Sequence, residues 1–151
     1  MSILLQLGSA PLEQPVVRLA LAAALGLFLG LEREWSEKAA GVRTFSLISL
    51  LGASLLLLGR PSLLVLGGVL VLAQGAVLAI QGLLDPDHGL SLTTWVAMFV
   101  AYAVGALVAA ELVLEGVAVA VVTSLLLVEK RELHSIAGGL SRPELRAASE
   151  F

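Results

Sequence analysis

Cysteine is absent from the chain, and histidine appears twice, at His88 and His134. The first absence excludes disulfides, thiol catalysis and thiolate metal centres, and two histidines are too few for a histidine-built metal site. Charge is also scarce, at 14% of 151 residues, whereas soluble domains carry about 25%. Basic residues are too sparse for nucleic-acid binding. No nucleophile elbow, phosphate-binding glycine loop or paired catalytic constellation occurs, so the sequence does not read as an enzyme. The first fourteen residues contain no lysine or arginine, so no basic leader region of a secretory signal is evident.

What the sequence has is apolar surface: 58% hydrophobic residues and a mean hydropathy of +0.99. This composition predicts a membrane protein, and the length predicts one domain. Five apolar stretches approach the roughly 20 residues needed to cross hydrocarbon, and in lipid such stretches must be helices to satisfy their own backbones. With flanking residues added, the spans are 16–34, 42–58, 62–84, 92–110 and 112–128, making a transmembrane domain over 1–129 and a tail over 130–151. Glycine and proline mark the turns at Gly59-Arg60-Pro61 and Asp85-Pro86-Asp87-His88-Gly89. The expected fold is an all-α membrane protein, a bundle of five transmembrane helices.

Five crossings put the termini on opposite sides. One side then collects Arg33, Lys38, Arg43, Lys130, Arg131, Arg142 and Arg146, and the other only Arg18 and Arg60. Basic residues favour the cytoplasmic side, so the N-terminus is expected outside and the C-terminus in the cytoplasm. Ser141-Arg142-Pro143-Glu144 has capping-box spacing and predicts a short cytoplasmic helix after a flexible Gly138-Gly139.

Small residues recur every fourth position: Ala22, Gly26 and Gly30; Ala97, Ala101, Gly105 and Ala109; Gly116, Ala120 and Ser124. Such stripes let helices approach closely in lipid, either within one bundle or between copies, and at least one is expected to be left over for a second copy. Gln74 and Gln81 stand seven residues apart, with Gly67, Gly68, Gly75 and Gly82 repeating at the same interval. The spacing reads as one thin, polar helix face, serving either interhelical hydrogen bonding or a polar pathway.

The stretch Gly30 to Phe45, GLEREWSEKAAGVRTF, concentrates six charged residues. The apolar cores on either side, 16–31 and 45–58, span only about 24 and 21 Å against roughly 30 Å of hydrocarbon. Extending both helices draws Glu32, Arg33, Glu34, Arg43 and Thr44 to the membrane edge, where a charge is costly unless paired. A Glu32–Arg43 ion pair is the expected staple, with Arg33 and Lys38 anchoring to lipid headgroups. A site for an ion is the alternative, with Glu32 and Glu34 as outer ligands of magnesium, although no spacing is diagnostic of it.

The motifs GLEREW (30–35) and AGVRTFSLISLLGA (40–53), with LTT at 92–94, resemble the MgtC/SapB family of bacterial inner-membrane proteins, over roughly residues 18–128. The resemblance implies a role in magnesium homeostasis. It also implies importance for Glu32, Arg33, Glu34, Arg43 and Thr44, and for some members restraint of the ATP synthase. Two readings follow: an oligomeric ion-homeostasis or transport protein, and a non-transporting regulator bound to another membrane complex. Many members continue into a soluble cytoplasmic domain that this chain does not include. Its tail looks like the junction to a second hydrophobic half, which implies association with another copy, a dimer being favoured, or with another chain. No cofactor is expected beyond Mg2+ as a ligand or cargo. Asp85 and Asp87 with His88 are weaker candidates for a cation, because their sequence is first a turn. Glu111 and Glu115 would attract cations or favour a helix N-terminus.

Overall fold

A computed structural model describes residues 14–35, 40–84 and 92–139, with residues 35, 82–84, 92 and 128–139 as helix backbone only. The described residues are all helix and turn: α1 Pro15–Trp35, α2 Val42–Leu57, α3 Pro61–Leu84, α4 Leu92–Ala109 and α5 Val113–Gly139. Asp85, Asp87, His88 and the 141–144 box lie outside them. α1 and α3 are long and apolar enough to cross a membrane, whereas α2, α4 and α5 carry shorter apolar stretches. α1 and α3 each open on a proline, which suits a first helical position because its missing N–H has no partner there anyway. α2 ends through Gly59 at φ +66°, a left-handed turn that glycine adopts without strain. α5 ends at Gly139, and the residues beyond this glycine pair lie outside the described residues.

α4 touches each of the other four helices and forms the centre of the bundle. Its small-residue face, Ala97, Ala101, Gly105 and Ala109, is buried. A Cβ on Gly105 would run into the Ser49 carbonyl of α2, and one on Gly52 into the Tyr102 carbonyl of α4. On α1, a Cβ on Gly26 would lie 2.6 Å from the Phe45 carbonyl and one on Gly30 2.5 Å from the Val42 Cα. Gly116 and Ala120 of α5 are likewise buried, Gly116 against Val108. These stripes are turned largely inward, with Ser124 of α5 half-buried. The close packing they permit is consumed inside one chain, which is what holds helices together where lipid removes the hydrophobic driving force between them.

Hydrogen bonds reinforce the central contact. Ser49 Oγ donates to Ala22 O at 2.7 Å and Ser46 Oγ to Ala23 O at 3.0 Å, tying α2 to α1. α3 is held differently. The Trp95 indole donates to Leu72 O at 3.0 Å and the Tyr102 hydroxyl to Leu64 O. Gly75 and Gly67 clear the space these rings occupy, since a Cβ at either would overlap them. Gly67 and Gly75 are therefore sockets for aromatic side chains. Gln74 and Gln81 are exposed, so the glutamines and glycines do not share the expected face. Gln74 is turned about 100° around the helix from Gly75, and an equal interval along a helix does not make a common direction.

Candidate functional site

The charged corner is built by the end of α1 and the start of α2. α1 runs through Glu32, Arg33 and Glu34, and α2 takes in Arg43 and Thr44. Because Gly26 and Gly30 bring the helices nearly into backbone contact, the first turn of α2 sits beside the last turns of α1. Glu34 uses this proximity. Its Oε2 accepts from the Val42 backbone N–H at 3.2 Å, across a helix hairpin. Gly41, the capping residue of α2, has no side chain to do so, and its missing Cβ leaves room for the carboxylate. Negative charge there also complements the positive end of the α2 dipole.

Arg33 points into the bundle. It is 4% exposed, and its Nη1 donates to Oγ1 of the fully buried Thr94 at 3.2 Å. Its Nε is buried with no hydrogen-bond partner. A guanidinium has five donors, so this one is under-satisfied, and no described carboxylate forms an ion pair with it. The expected Glu32–Arg43 pair does not form among the described residues: Glu32 is half-buried and Arg43 is exposed. Helix phase explains the exchange of roles. Arg33 lies three residues beyond Gly30 and seven beyond Gly26, on the packed stripe, and Glu32 does not. That phase was readable in the sequence.

Arg18, near the other end of α1, was not singled out as a contact residue. Its Nη1 donates to Ala109 O at 2.8 Å and lies 3.3 Å from Glu111 Oε1. Together with Arg33–Thr94, this shows that α4 runs antiparallel to α1. Glu111 adopts φ +70° between α4 and α5, an unusual left-handed position for a non-glycine residue, and its carboxylate there engages Arg18. Ser46, Ser49, Trp95 and Tyr102 were also passed over. The serines' spacing, opposite the small stripe of α1, was the available signal.

Between α2 and α3 lies a groove of about 350 Å³ lined by Thr44, Leu47, Ile48, Leu51, Leu70, Val71 and Gln74. It brings Thr44 and Gln74 onto one surface. Among the described residues no group of three metal-ligating side chains assembles. Glu34 is engaged by the α2 backbone, and the neighbouring buried cation Arg33 opposes a divalent ion, so this corner does not fit a resident magnesium.

Tight helix packing, apolar helices and a charged corner define an all-helical membrane protein. The chain belongs to the MgtC family, whose family model matches residues 19–136. No curated protein and no solved structure matches the chain.

Proposed function

We propose that this chain is a multi-pass bacterial inner-membrane protein of magnesium homeostasis, non-enzymatic, with its N-terminus outside and the α1–α2 corner in the cytoplasm. Family membership supports the magnesium role, and the seven-to-two division of basic residues supports the orientation. Within that role we favour association over conduction: the protein acts as an oligomer that regulates another membrane complex, such as the ATP synthase that the resemblance implies.

The observation that carries this choice is Arg33. A buried guanidinium whose one described acceptor is a hydroxyl destabilises the fold unless something else requires it, because burying an incompletely satisfied charge is unfavourable. Its positive charge at the corner repels a divalent ion and suits recognition of an anionic partner group. Transport remains the rival reading, with magnesium as cargo.

Two measurements separate them. Proteoliposomes holding the wild-type chain should move no magnesium above protein-free vesicles. Arg33→Leu should keep or raise resistance to unfolding in detergent while abolishing support of growth at low magnesium. Magnesium flux that responds to Arg33 substitution would establish transport instead. Parallel loss of stability and growth support would make Arg33 a structural residue.

A further inference from the structure

The edge of α3 beside the α2 groove carries an unsatisfied polar surface at the depth where lipid tolerates it least. Gln74 is the fourteenth residue of a 24-residue helix, so it stands near the middle of any span that α3 makes. It is exposed, and its carboxamide makes no hydrogen bond among the described residues. Gln81 is exposed as well, seven residues further on. Leu70 and Val77 fall on the same side and are 59% and 55% exposed. An unpaired amide in hydrocarbon is costly, and polar side chains within membrane helices find partners on other helices. α2 and α4 cover the face of α3 that carries Gly67, Val71 and Gly75, and Gln74 stands at the edge of that face, in the groove beside α2, where no described side chain bonds its carboxamide, so the partner comes from outside the chain.

We propose that this partner is a second copy of the chain, and that Gln74 and Gln81 each pair with their own counterpart across a two-fold axis running along the membrane normal. This rests on the oligomer reading above and names its interface. Two copies insert in the same orientation because their loops carry the same basic residues, so a closed pair has its axis perpendicular to the membrane. Residues near such an axis meet themselves at equal depth. A carboxamide has both donors and an acceptor and so satisfies itself there, which a carboxylate or an ammonium group does not. The seven-residue interval keeps Gln74 and Gln81, with Leu70 and Val77 between and before them, on one seam of two parallel helices that wind left-handed around each other. The groove beside this seam, walled by Leu47 and Leu51 of α2, receives side chains of the second α3. The small-residue stripes are already buried within the single chain and leave this glutamine seam as the contact.

The chain contains no cysteine, so single substitutions can be cross-linked in the membrane without background. Gln74→Cys and Gln81→Cys, oxidised in native membranes, should each give a homodimer band at least about tenfold stronger than Val69→Cys on the other side of α3 or Leu126→Cys on α5, because disulfide formation requires Cβ atoms within roughly 4.5 Å. In liposomes, energy transfer between labelled full-length chains should report a pair. Gln74→Leu should weaken it about threefold per lost hydrogen bond, since such bonds in membranes average ~0.6 kcal/mol. Cross-linking at Val69 or Leu126 that equals or exceeds that at Gln74 overturns the interface while leaving oligomerisation standing. So does capture of a different protein by the Gln74→Cys variant. Energy transfer showing a monomer overturns both the interface and the oligomer reading. None of these outcomes bears on magnesium flux.

Discussion

α1 carries a buried arginine towards each end, and the bundle treats the two in opposite ways. Arg18 meets Ala109 O and Glu111 where α4 ends, and the C-terminal end of a helix dipole favours a cation. Arg33 meets α4 at its first turn, where the dipole disfavours one, and the hydroxyl of Thr94 is its acceptor there. Its position in the last turn of its own helix compensates in part. The two residues share a helix stripe and a chemistry, yet Arg18 has a carbonyl and a carboxylate as acceptors and Arg33 a single described hydroxyl. The difference makes the Arg33 corner the less fully satisfied of the two among the described residues.

The comparison can be broken most severely at Thr94. Thr94→Val strands the Arg33 guanidinium and should lower resistance to unfolding by about 3 kcal/mol, the upper end for an unsatisfied buried polar group. Adding Arg33→Leu should recover most of that loss in a double-mutant cycle; simple additivity of the two changes would show that Thr94 does not act through Arg33. Arg18→Leu should cost about 2 kcal/mol by releasing a charged hydrogen bond at the end of α4, measured by the same denaturation series. A value near zero would mean that Arg18 fastens nothing.

Glu34→Ala removes a helix cap and should cost about 1 kcal/mol, whereas Glu32→Ala, which loses only a charge interaction with neighbouring Arg33, should cost less. Equal effects would remove the distinction between the two glutamates. Glu111→Gln should be smallest, below about 1 kcal/mol, because its side chain is 68% exposed and exposed ion pairs contribute little. The orientation on which the corner's cytoplasmic role depends has its own check. A single cysteine at Ser36 should resist membrane-impermeant label in intact cells, and external labelling there would reverse the proposed topology.

The five helices and the turn at Gly59 were legible in the sequence because apolar runs broken by Gly, Pro and charge leave few alternatives in lipid. So was the recruitment of 32–34 and 42–44 into helix, which followed from two spans too short for the bilayer. What length arguments did not use was rotational phase. Length arguments place Glu32 and Arg33 at one depth, but only the packed stripe through Gly26 and Gly30 tells which of them turns inward. The same ambiguity merged Gln74 with Gly75, whose directions differ by about 100°. The Arg18–Ala109 contact joins residues 91 positions apart and rests on which helices become neighbours, information that no local pattern contains.

The ring-in-socket attachment of α3 gives the molecule a built-in optical gauge. The chain has two tryptophans, Trp35 and Trp95. Trp35→Phe leaves a single indole, seated over Gly75 and donating to the α3 backbone. Its emission maximum and quenching by lipid-borne quenchers therefore follow the docking of one helix, apart from the unfolding of the rest. Any change of partner or ionic condition that loosens α3 is then visible as colour, in intact membranes and without an added label.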